Sequence, residues 1–194
     1  MCLRKPGVEL SFGAVLLVLW FAWVNGWRLT GQILLAAMLH ECGHWSALCI
    51  CGASVRCFRV GVMGAVLEVD TRCLSYGQEL AAVLAGPAVN LAAALLGGMQ
   101  RADPVFIGIH AVLCVFNLLP VSLLDGGRAL RLLLVLLIGP DRGERLADGI
   151  SAAAAVALAA CLLVVMGRTG GSLWLLPPAC WMLWLGVTEF LEKR

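Results

Sequence analysis

Residues 31–51 read GQILLAAMLHECGHWSALCIC, an apolar run of 21 residues with His40, Glu41 and His44 set into its middle. About 20 apolar residues in a helix suffice to cross the roughly 30 Å hydrocarbon core of a bilayer. The run is therefore expected to span a membrane while carrying three titratable side chains. A charged side chain at the centre of such a helix costs about 2.5–3.5 kcal/mol, and such groups persist where they face a polar cavity, one another or a metal ion.

The rest of the chain has the same character. Of its 194 residues, 61% are AVILMFWYC and 13% are DEKR, with a mean hydropathy of +0.94. A soluble domain carries about 45–50% apolar and about 25% charged residues, and one core of this size could not hide the excess. Further apolar runs at 10–27, 80–99, 104–138, 149–166 and 173–190 bring the expected number of spans to six. The fold class is an all-α polytopic membrane protein, a single membrane-embedded domain over 1–194.

The fourth run, 35 residues long, exceeds one straight span and contains its own interruption, Asn117-Leu118-Leu119-Pro120 followed by Asp125-Gly126-Gly127. The run crosses either once, as a broken span, or twice, and the basic-residue count favours the broken span; its break faces protein or a water-filled cavity, because lipid leaves no partner for unpaired backbone. With the N-terminus cytoplasmic, inside segments hold nine basic residues (Arg4, Lys5, Arg56, Arg59, Arg72, Arg142, Arg145, Lys193, Arg194) and outside loops three (Arg28, Arg101, Arg168). That asymmetry supports the orientation. Trp20, Trp23, Asn25 and Trp27 stand where a signal peptide would need small residues, so the first run reads as a retained span. Between spans two and three, ASVRCFRVGVMGAVLEVD at 53–70 reads as a short β segment of two strands at the membrane interface.

Fourteen basic against twelve acidic residues, with no basic run, exclude nucleic acid as a partner. Nine cysteines, an odd number without a C-x-x-C pair, read as reduced apolar filler.

His40-Glu41-Cys42-Gly43-His44 is an H-E-x-x-H pattern. On a helix, positions i and i+4 lie about 40° apart around the axis and about 6 Å along it, so both imidazoles can reach one ion. Glu41, beside them, can accept a proton from a metal-activated water without entering the coordination shell. Two imidazoles leave a catalytic zinc short of a ligand, and Asp125, between Leu123-Leu124 and Gly126-Gly127, is the outstanding third. Its alternative role is the N-cap of a helix over 129–138. His110, without a partner pattern, reads as an interfacial or packing residue.

HECGH at 40–44 followed by NLLPVSLLDGGR at 117–128, with Gly86-Pro87-Ala88-Val89-Asn90 between them, resembles the site-2 protease family of intramembrane zinc metalloproteases. The second motif matches the family's N-x-x-P-x-x-x-L-D-G, and residues 86–90 its G-P-x-x-N. The resemblance covers about 29–130, the family's catalytic core. The layout, without a PDZ-like insertion, is most similar to the stage IV sporulation protease FB group, although this chain ends at Arg194 without a CBS domain. Val121-Ser122 replaces a more usual proline-containing stretch.

The resemblance implies Zn2+ held by His40, His44 and Asp125, with Glu41 as general base. Asn117 and Asn90 become polar groups that bind substrate or support the site, and Asn117 could donate to an oxyanion. A substrate helix must unwind before attack, and the 53–70 segment, represented by Val62, could hold it by strand addition. The implied reaction is peptide hydrolysis in or near a transmembrane segment of a membrane-anchored regulator, such as a sigma-factor precursor, in a bacterial cell membrane. The implied partners are the lipid bilayer, that protein substrate, and an inhibitory or regulatory membrane protein. Two alternatives stay open: a proteolytically inactive relative that binds membrane segments, expected to have lost one of the four site residues, and a metal or ion transporter, expected to distribute polar residues through several spans.

Overall fold

The computed structural model describes residues 7–61, 64–70 and 74–168, so the sixth apolar run and Val62 lie outside the described residues. The chain forms two compact units, Met1–Phe116 and Asn117–Arg194.

The first unit opens with strand β1 (Gly7–Leu10), after which Ser11 caps helix α1 (Phe12–Asn25) by accepting the Ala14 N–H at 3.2 Å. Gly26, at φ 88°, ends α1 and starts helix α2 (Trp27–Ile50) without an intervening loop. Only glycine takes that backbone conformation at little cost. Strands β2 (Ser54–Gly61) and β3 (Gly64–Asp70) form an antiparallel hairpin, with an irregularity between Val55 and Cys57. β1 adds to it in parallel, giving the order β1-β2-β3 and leaving β3 at an edge. The four-residue β1 is not anticipated by the sequence reading, which begins its first apolar run at residue 10.

Helix α3 (Tyr76–Met99) starts with a capping box, Ser75 and Gln78 each accepting the other's backbone N–H. It packs along α2 and is followed by helix α4 (Pro104–Asn117). The contact between α2 and α3 uses small residues. A Cβ on Gly43 would stand 2.7 Å from the Ala85 carbonyl oxygen and 2.9 Å from Val89 Cγ2, so the helices approach through absent side chains. Ala22, Ala36, Ala82 and Ala94 are buried, whereas Trp23, Ile50 and Met99 point outward, each more than 80% exposed. Small residues inside and large apolar ones outside suit helices solvated by lipid. At one end of the unit, Asp103 accepts from Arg28 at 2.9 Å, Gln32 at 3.2 Å and the Val105 N–H at 3.0 Å, tying the start of α2 to the α3–α4 turn.

In the second unit, residues 118–124 are non-helical, helix α5 (Asp125–Ile138) follows, and Gly139 at φ 85° turns the chain into helix α6 (Pro140–Arg168). The fifth apolar run, expected from 149, is the later part of this helix, whose charged first turns begin with proline at a position that needs no N–H. Gly143 lies against the backbone of Leu134 and Val135, where a Cβ would come within 2.6–2.8 Å, and Arg131 pairs with Glu144 at 2.8 Å.

Among the described residues, α2, α3 and α6 are long and apolar enough to cross a membrane. α1 and α4 are apolar but have 14 residues each, about 21 Å of helix.

Candidate metal centre

His40 and His44 lie on one face of α2, their Nε2 atoms 3.1 Å apart and their rings nearly perpendicular at 85°. Helical spacing aligns the two side chains, and α3 fixes where they point. Gly86 offers no Cβ where the His44 ring sits; an added Cβ would collide with Nε2, Cε1 and Cδ2 of that ring. Pro87 cannot donate to the carbonyl four residues back, which loosens this turn of α3. In the same turn the Ala82 carbonyl accepts from His44 Nδ1 at 2.9 Å. That bond holds the His44 proton on Nδ1 and leaves Nε2 as a lone pair. One turn further along α3, the Asn90 amide reaches His40 Nδ1 at 3.0 Å. Gly86, Asn90 and the Ala82 carbonyl therefore act on the two imidazoles in three ways: room, an amide and a carbonyl.

The donor set fits a zinc ion. Two nitrogens each about 2.0–2.1 Å from a tetrahedral centre lie about 3.3 Å apart, close to the separation found here. His44 holds a carbonyl hydrogen bond on the nitrogen facing away, as metal-bound histidines do, and the Asn90 amide meets the corresponding nitrogen of His40. His40 is buried at 5% exposure, and Glu41, the next residue, is half-buried.

His110 is a packed histidine. It is fully buried on α4, and its Nδ1 meets the Asn90 carbonyl oxygen at 3.0 Å, beside the Phe106 ring. Sequence reasoning missed this role. The available signal was a histidine inside an apolar helix, which has to find a polar partner.

Asp125 and Asn117 are described in the second unit. Asp125 is the first residue of α5 and is buried, while Asn117, the last residue of α4, is half-buried. The N-cap reading of Asp125 is corrected: α5 begins at Asp125 itself, its N-cap is Leu124, and no side-chain cap bond forms. The two glycines explain the early start. A Cβ at Gly126 would strike the backbone of Leu118 and Leu119, and one at Gly127 the backbone of Val121 and Ser122. The first turn of α5 thus lies directly on the non-helical segment, as only glycine allows. The segment satisfies its own backbone in part: Val121 N–H donates to Leu119 O and Leu124 N–H to Val121 O, both at 2.8 Å. Ser122 N–H donates to Ser151 Oγ on α6, also at 2.8 Å, a bond that proline at 122 could not make.

Neither a family model nor a curated protein matches the sequence. Among solved structures, the site-2 protease from Methanocaldococcus jannaschii superposes with a TM-score of 0.63 over 94% of this chain and 89% of that one, at 20% identity. The fold is that of a site-2 protease. In this site-2 protease fold the HECGH motif lies on α2, Gly86–Asn90 on α3, and the Asn117-to-Asp125 motif runs from the end of α4 to the start of α5. The similarity to the sporulation protease FB group rests on the sequence motifs alone.

Proposed function

We propose that the chain is an intramembrane zinc metalloendopeptidase that hydrolyses a peptide bond in or near a transmembrane segment of a membrane-anchored regulatory protein. The observation that carries this is the pair of α2 imidazoles, Nε2 to Nε2 at 3.1 Å, each fixed from behind by α3 in a fold shared with a site-2 protease. His40, His44 and Asp125 would supply two imidazoles and a carboxylate as protein ligands. A zinc held there would make a bound water acidic enough to be deprotonated near neutral pH and would polarise the scissile carbonyl.

Glu41 takes the proton of the attacking water and returns it to the leaving amine. Asn117 donates its amide to the developing oxyanion. β3 holds the unwound substrate by strand addition along its edge. In this reading six spans cross a bacterial cell membrane from a cytoplasmic N-terminus, the fourth broken at 118–124. The substrate class includes sigma-factor precursors, and an inhibitory or regulatory membrane protein is a further partner.

Purified protein is expected to carry about one zinc per chain by elemental analysis. Glu41→Gln is expected to keep that zinc and lose cleavage of a membrane-anchored substrate, since the amide preserves shape but cannot accept the proton. A metal-free preparation that cleaves, or a Glu41→Gln variant that turns over at the wild-type rate, overturns the assignment.

A further inference from the structure

Helix α6 has 29 residues, about 44 Å at 1.5 Å per residue, whereas the hydrocarbon core of a bilayer is about 30 Å thick. Its charges show where the excess lies. Asp141, Arg142, Glu144, Arg145 and Asp148 all fall before residue 149, and residues 149–167 carry none until Arg168 closes the helix. Residues 149–168, about 30 Å of helix, match the core, which leaves about 13 Å at 140–148 beyond it.

α5 runs back along this projecting part. Gly143 lies against the backbone of Leu134 and Val135, Arg131 pairs with Glu144 at 2.8 Å, and the Ser122 N–H reaches Ser151 Oγ at 2.8 Å. Residues 132–138 are therefore level with the charged turns of α6. Even so, Leu133, Leu136, Leu137 and Ile138 are 43–70% exposed. The first three follow an i, i+3, i+4 spacing and form one apolar face, while Val135, on the side that meets Gly143, is buried. Four large apolar side chains thus stand open beside charged groups, at a level beyond the hydrocarbon.

Charge decides what can cover them. Glu144 is taken by Arg131, and Asp148 adds its field at the same guanidinium. Arg128, Arg142 and Arg145 are exposed and make no ion pair among the described residues, and Asp141 is the remaining exposed acid in this corner. An apolar face bordered by three uncommitted cations complements a leaflet whose acyl chains begin just beneath anionic phosphates.

We propose that the α5–α6 corner lies in the headgroup layer of an anionic leaflet, where Leu133, Leu136, Leu137 and Ile138 enter the acyl boundary and Arg128, Arg142 and Arg145 bind lipid phosphates. Arginine suits this role: its planar fork meets phosphate oxygens in pairs while its stem lies along apolar surface. The inference uses residues 122–168 alone and does not depend on the metal centre.

Leu137, the most exposed of the four, is the place to ask what covers the face. The full chain carrying Leu137→p-benzoylphenylalanine is reconstituted alone, at low salt, in vesicles of equal phosphatidylcholine and phosphatidylglycerol. After irradiation the adducts are identified by mass spectrometry. Phosphatidylglycerol adducts are expected to exceed phosphatidylcholine adducts several-fold, because each arginine near an anionic surface strengthens binding about fivefold. Arg142→Gln with Arg145→Gln should bring the ratio down toward that of the bulk lipid. Arg142→Lys with Arg145→Lys keeps the charge and should retain most of the enrichment. Raising salt to about 0.5 M should lower it, since exposed charges are screened.

Equal adducts of the two lipids with both arginines in place overturn the proposal, as does enrichment that survives the glutamine pair unchanged. Adducts to a second copy of the chain would make the corner a protein interface, and the absence of any adduct would place it in water. Either result overturns the lipid assignment.

Discussion

One added methyl group at Gly86 tests the centre where it has least room. A Cβ there would stand 2.5 Å from His44 Cε1 and 2.8 Å from Cδ2, against the about 3.5–4.0 Å at which carbon atoms rest. The ring has to withdraw by about 1 Å. Its 2.9 Å bond to the Ala82 carbonyl then lengthens past the about 3.2 Å limit of a good hydrogen bond. Overpacking costs about 1–3 kcal/mol and the lost bond about 0.5–1.5 kcal/mol, while a helical Gly→Ala change returns about 0.5–1 kcal/mol. The net loss is about 1–3 kcal/mol, a factor of about 5 to 150 in an equilibrium constant. Zinc affinity by chelator competition and thermal unfolding in micelles both read it. Gly98→Ala, on the same helix but with open space around its Cβ, supplies the control and is expected to be neutral or stabilising. A Gly86→Ala protein that binds zinc and unfolds like the wild type, or a Gly98→Ala protein that suffers equally, refutes the packing argument.

Asp125→Asn is expected to lower zinc content and cleavage together, measured by elemental analysis and substrate turnover; loss of thermal stability alone with full zinc points to a structural role instead. Asp103 has its carboxyl held below the usual carboxylate range by the Val105 N–H first, then by Gln32 and Arg28. A lowered folded-state pKa contributes stability that is complete above the unfolded value of about 3.9 and disappears as pH falls through the folded value. Asp103→Asn should therefore flatten the acid limb of unfolding midpoints scanned from about pH 6 to 3, leaving the slope above about pH 5 unchanged. Proline at Val66 or Leu67 removes an N–H from β3, and since successive residues in a strand face opposite neighbours, one of the two should reduce substrate cleavage while zinc content stays at the wild-type level. Full cleavage in both variants would move substrate binding away from this edge.

The parts of the site that depend on local spacing could be read directly from the sequence. HECGH imposes its own geometry because a helix brings i and i+4 together, and the proline and glycines at 120–127 announce an interruption in whatever element contains them. His110 could not be read in this way. Its partner Asn90 lies 20 residues away on another helix, and nothing periodic links the two positions. β1 was missed for a similar reason, since four residues become a strand by pairing with residues about fifty positions later. The start of α6 was hidden by charge: residues 140–148 look like a loop to a hydropathy reading, yet they are helical and packed against α5 through Gly143. The G-P-x-x-N segment was visible as a pattern, but the room that Gly86 leaves and the amide that Asn90 offers to the imidazoles arise only once α3 lies against α2.

The bond from Ser122 to Ser151 limits how far this protein can be shortened. A fragment ending near residue 130 would contain HECGH, Asn90, Asn117 and Asp125, every motif residue, and would still strip the 118–124 segment of an acceptor supplied by α6. In lipid no water replaces it, so the segment would have to rearrange, and the carboxylate it carries would move with it. The motif residues are thus not a portable cassette. Their heritable unit includes a serine more than twenty residues beyond the last of them, which a search by motif alone would discard.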